Sequence, residues 1–138
     1  MTKQLLHGSA AWFDMVGAEI VKAAVQFELP RDLRFSVIER YVDGADLGDG
    51  LYQGLRISVA DGAVVCRTGV RADETADVVI EVTAVVARQL NSLFGADPGY
   101  PRALTDAVAS AELRKSGDLR PIGPIFDMAH DRIVERAI

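Results

Sequence analysis

The feature that most restricts this chain is a block of segments in which apolar side chains recur at every second position, set between stretches where they recur every third or fourth. Period two places successive side chains on opposite faces of a strand, whereas steps of three and four line one face of a helix. The alternating segments are LRFSVIERYV from Leu33, GLYQGLRISVA from Gly50, AVVCRTGV from Ala63 and ADVVIEVT from Ala76. In the second, Leu51, Leu55, Ile57 and Val59 share a face, with Arg56 and Ser58 opposite. Asp61-Gly62 is a two-residue turn of the type that joins antiparallel strands, and residues 43–49 form a longer loop. These signals predict a three-stranded antiparallel meander, followed across the polar turn 71–75 by a fourth strand. AELRKSGD, from Ala111, predicts a fifth.

Helices frame the strands. Trp12, Phe13, Val16, Ile20 and Ala24 recur at helical spacing behind Ser9, a suitable N-cap. That helix must stop near Glu28, because Pro30 lacks an amide hydrogen and biases Leu29 away from helical geometry. Thr83 is placed to cap a second helix, AVVARQLNSLF, with Val86, Leu90, Leu93 and Phe94 as its apolar stripe and Gly95 as its end. After the loop GADPGYP, Pro101 suits the first turn of a short helix through Leu104, Ala107 and Val108. The last segment, IFDMAHDRIVERAI, carries Ile125, Met128, Ala129, Ile133 and Ala137 at helical spacing. The expected fold is α+β: a five-stranded mixed, largely antiparallel sheet with helices packed on one face, in one domain over residues 1–138.

Composition excludes several functions. A hydrophobic content of 49% with 25% charged residues describes a folded globule, and a net charge of -5 repels phosphate backbones, so nucleic acid is not an expected partner. Apolar runs fall short of the roughly 18 residues that span a membrane. Cys66 is the only cysteine, which fits a reducing compartment and points to the cytoplasm. Neither a P-loop nor G-x-G-x-x-G is present, and no cofactor is expected.

The chemistry-bearing residues are few. Asp127, His130 and Asp131 lie at i, i+3 and i+4 on one helical face, where they could hold a divalent metal or orient His130 as a base. A solvated face with ion pairs to Arg132 and Arg136 outweighs that reading, and no metal site is expected. Asp43, Asp46 and Asp49 lack the distal glutamate of a calcium loop and read as a polar turn. His7-Gly8-Ser9 lacks a nucleophile elbow and reads as a frayed terminus before the cap. Cys66, mid-strand, reads as a small apolar residue. Periodicity does not separate a solid core from an apolar cavity, and a solid core is the more common outcome.

The stretch RTGVRADETADVVIEVTAVVARQL, followed after a helix by AVASAELRKSGDL, resembles the sterol carrier protein 2 (SCP-2) family of lipid-binding domains. The matching elements are Gly69-Val70, the turn at Ala72-Asp73, the strand at 76–83, the helix at 86–93 and the strand at 111–118, in a succession that runs from Leu33 to the C-terminus. The chain is then a divergent stand-alone member: Ala111 replaces the family's leading glycine in the fifth strand, Lys115 takes an apolar position, and GADPGYP is richer in proline and glycine than the family's usual connection. Lys115 is expected to point to solvent from an edge strand. The resemblance implies an apolar tunnel between sheet and helices that holds a fatty acyl chain, lipid or sterol without catalysis. By position on the helices, Leu90, Phe94, Leu104, Val108, Ile125, Phe126 and Met128 are its expected wall. Two alternatives stay open: an interaction domain or homodimer with a solid core, and a small enzyme using His130 with Asp127 or Asp131.

Overall fold

The computed structural model describes residues 4–137. Ser9 caps the first helix, α1 (Ala10–Ala24), its hydroxyl accepting from the Trp12 amide at 3.1 Å. Thr83 does the same for α2 (Ala84–Leu90), accepting from the Val86 amide. The strands are β1 (Phe35–Tyr41), β2 (Asp46–Gly48), β3 (Leu51–Ala60), β4 (Ala63–Val70), β5 (Val78–Val82) and β6 (Leu113–Ser116). The two remaining helices are α3 (Gly99–Ala109) and α4 (Gly123–Arg136), the latter led in by a 3-10 turn at Arg120–Ile122.

The sheet has six strands where five were expected. The addition is β2, a three-residue piece of the loop at 43–49 that pairs antiparallel with the start of β3. It is too short for any alternation to show in sequence. Within that loop the Asp43 carboxylate accepts from the Ala84 amide and Asp46 from the Gly48 amide, so the aspartates serve as turn and helix caps. The order β4-β3-β1-β5-β6 is antiparallel throughout except where β5 runs parallel to β1. The sheet is therefore mixed and largely antiparallel.

Parallel pairing cannot be made by a hairpin, so the chain leaving β4 must cross β3 and β1 to reach the far edge of β1. It does so over the outer face of the sheet. Glu74 lies in the crossing and binds the guanidinium groups of Arg56, from β3, at 2.8 Å, and of Arg67, from β4. Arg40, from β1, donates to the Glu74 carbonyl at 2.5 Å, and Arg56 also reaches the Thr75 carbonyl. One loop is thus tied to three adjacent strands. Ile38, fully buried, lies in register between Arg56 and Val79 on this face.

The opposite, inner face carries Val37 and Tyr41, Leu55, Ile57 and Val59, and Val78 and Val82, all buried in the main core. α1 adds Trp12, Phe13 and Ile20 to that core and approaches β4 closely at Gly17, where an added Cβ would lie 3.0 Å from that of Cys66. Cys66 is half-buried there, and burial pushes its thiol up to about 11. Residue 7 departs from the frayed terminus expected of it. His7 lies between the rings of Trp12 and Tyr41, with its Nε2 2.9 Å from the Tyr41 hydroxyl. Burial, aided by the charge of Arg88, lowers its pKa to about 4 and keeps it neutral. The aromatic spacing of the first helix gives no hint of this docking, because it depends on a strand that follows much later.

For Glu74, burial alone would raise the pKa, but the Arg71 amide and the guanidiniums of Arg67 and Arg56 prevail and hold it below the usual glutamate value. A carboxylate stabilised in this way contributes fully above its unfolded pKa and loses its contribution as pH falls through the lowered one. Glu74→Gln should therefore cost about 1–3 kcal/mol near pH 7, measured by denaturant unfolding, with the deficit closing in acid.

Candidate functional site

Between the inner face of the sheet and the helices lies a cavity of about 1030 Å³. That volume is at the upper end of what small-molecule sites present. Its floor is Leu55 and Ile57 of β3, Glu39 of β1, and Ile80 and Val82 of β5. Trp12, Phe13, Val16 and Ile20 of α1 form one wall, while Leu90, Leu104, Val108 and Phe126 close it from the other helices. The commoner outcome, a solid core, is thus not the one found here. The physical reason is in α3, whose fully buried residues are only Ala103 and Ala107, while its larger side chains Leu104 and Val108 stay exposed at the border of the space instead of filling it.

The seven expected wall residues separate. Leu90, Leu104, Val108 and Phe126 line the cavity; Phe94, Ile125 and Met128 are not among its lining residues. α2 ends at Leu90, so Phe94 falls in the following turn and is 45% exposed instead of extending the stripe. On α4, Ile125 is buried in the core beside Ala129, and Met128 lies two residues from Phe126 and faces outward. Leu104 and Val108, at 36% and 56% exposure, mark the mouth.

Asp127, His130 and Asp131 of α4 line the same cavity, and the last two are occupied in holding its rim. His130 Nε2 lies 2.8 Å from the Leu93 carbonyl, which can only accept, so that nitrogen carries the proton. Its ring packs on Tyr100 with centroids 4.7 Å apart. Asp131 accepts from the Gly95 amide at 2.8 Å. These two residues fasten the connection between α2 and α3 to α4, and Asp127, His130 and Asp131 form no metal-ligating group. Lys115 is exposed, as expected of an edge strand, but it pairs with Ile80 in register and so lies on the cavity face, where it lines the mouth. Ala111 has the left-handed backbone that favours glycine, with φ of 61°.

Sequence reading missed Glu39. It stands between Val37 and Tyr41 on the inner face of the central strand, paired with Leu55 on one side and Ile80 on the other. It is half-buried and lines the cavity. No hydrogen bond or ion pair engages its carboxyl among the described residues. Burial raises its pKa to about 7. The available signal was the alternation Phe35, Val37, Glu39, Tyr41, which places a carboxylate in an otherwise apolar row. The sign of its effect on stability is opposite to that of Glu74. A raised carboxyl favours folding below the unfolded value of about 4.5 and loses that advantage as pH rises through about 7. Glu39→Gln should accordingly stabilise the protein on the order of 1–3 kcal/mol at pH 8, with the gain shrinking toward pH 4.5 in a series of unfolding curves.

No family model and no curated protein matches the sequence. Solved structures do match in fold. A crystal structure of sterol carrier protein 2 covers 94% of this chain and 98% of its own, with a TM-score of 0.52 at 19% identity. The solution structure of a conserved hypothetical protein of Thermus thermophilus covers 99% and 96%, with a TM-score of 0.52 at 17% identity. The chain has the SCP-2-like fold.

Proposed function

We propose that the protein binds a hydrophobic small molecule, a fatty acyl chain, lipid or sterol, in the cavity between sheet and helices, and acts as a non-catalytic carrier. The observation that carries this reading is the cavity itself, about 1030 Å³ with a wall that is mostly aliphatic and aromatic. Leu90, Leu104, Val108 and Phe126, opposite the α1 wall, are among the helical side chains that would touch the guest. Transfer of an acyl chain from water into such a space is worth about 0.8 kcal/mol per CH₂, so affinity needs no reactive residue and should climb with chain length. The commitment of His130 and Asp131 to backbone groups at the rim supports carriage over catalysis. Likeness in fold to a sterol carrier protein 2 agrees with the same reading. No helix among the described residues is long and apolar enough to cross a membrane, and the lone, half-buried cysteine suits a cytoplasmic carrier.

The test is a thermal-shift series on delipidated protein with acyl chains of increasing length and with sterols. A ligand at one hundred times its dissociation constant adds about 2.7 kcal/mol, so a rise in melting temperature that follows chain length is expected, and a flat series would overturn the proposal. Leu104→Trp should fill the mouth and weaken acyl binding at least about tenfold. Phe94→Trp, outside the cavity, should leave the affinity unchanged.

A further inference from the structure

Resting on the carrier reading, we propose that Glu39 recognises the polar group of the bound molecule, so that the cavity takes amphiphiles whose buried polar group is an uncharged hydroxyl or amide and rejects a carboxylate placed there. Glu39 is the acid on the cavity floor, at the middle of the central strand, with Leu55 and Ile80 beside it. The rim groups His130 and Asp131 have backbone partners, whereas Glu39 has no hydrogen bond or ion pair among the described residues. A buried carboxyl without a partner is costly, and a guest that supplies one removes the cost. A hydroxyl or amide both donates and accepts, and therefore satisfies the carboxyl in either protonation state. A carboxylate cannot, because two like charges in an apolar space force one of them to take up a proton. An ammonium would give up its hydration shell for a single partner.

The groups that face Glu39 are consistent with this selectivity. Tyr41 of β1 and Tyr100 of α3 are both pushed further from ionisation, by burial first and with Glu39 contributing, so they remain neutral. α1 presents Trp12, Phe13, Val16 and Ile20, α2 presents Ala87 and Leu90, and Asn91 follows at its end, none of them ionisable. The full charges are Arg114 and Lys115 of β6 against Asp127 and Asp131 of α4, which lie on exposed positions and oppose each other in sign.

The experiment compares 1-decanol, decanamide, decanoate and decylamine by calorimetry and by the fluorescence of Trp12, the only tryptophan and part of the cavity wall. At pH 8.5, decanol and decanamide should bind at least about tenfold more tightly than decanoate. The ratio should narrow at pH 6, where Glu39 takes up its proton. Glu39→Gln should raise decanoate affinity at pH 8.5 to within about threefold of decanol and abolish the pH dependence of the ratio. Equal affinities that ignore head group, pH and the substitution would overturn this proposal and leave the carrier reading standing, as would decylamine binding more tightly than decanol. Failure of all four ligands, and of longer chains, would overturn both. The pH profile of the unaltered protein decides the matter even if the variant does not fold.

Discussion

The parallel pairing of β1 with β5 is the constraint on which the remaining architecture depends. A simple meander would have placed the fourth long strand beside β4 and left one edge of β1 open. Instead the chain crosses the outer face and adds β5 and β6 beyond β1, and those strands supply Ile80, Val82 and Leu113 to the cavity. The crossing is held by one carboxylate and three arginines drawn from three neighbouring strands. Gly54 shows how tightly the region is packed: a Cβ there would lie 2.4 Å from the Glu39 carbonyl and 2.7 Å from Val70 Cγ2.

The central strand therefore carries different chemistry on its two faces. Outward, Arg40 engages Glu74 and Glu81. Inward, Glu39 lines the cavity and makes no ion pair among the described residues. Adjacent residues of opposite charge end up in unlike surroundings because strand geometry sends them to opposite sides of the sheet. Their proximity in sequence suggests a pair, and their placement in the fold separates them.

Elements governed by local chemistry were readable from the sequence. The serine and threonine caps, the Asp61-Gly62 turn, the alternating strands and the terminal helix all depend on residues within a few positions of each other. What depended on distant partners was not readable. Alternation assigns faces but not neighbours, so the adjacency of β1 and β5 was hidden, as was the docking of His7 on Tyr41. The stripe through Phe94 failed because α2 stops at Leu90, after which Asp131 and His130, from the far end of the chain, take over the geometry of the connection. The cavity could not be read from periodicity, which fixes a buried face without fixing how well two faces fill the space between them.

The composition of α3 has a consequence for motion. Its buried residues are two alanines, whereas α1 buries a tryptophan, a phenylalanine, a methionine and an isoleucine. The free energy that seats a helix scales with the apolar area it removes from water, so α3 is anchored weakly over the sheet while its leading turn is clipped to α4. Local opening follows the least anchored element. Amide protection should therefore be lowest along α3 among the helices, and the segment that borders the mouth is the one that can swing aside while the sheet and α1 stay intact.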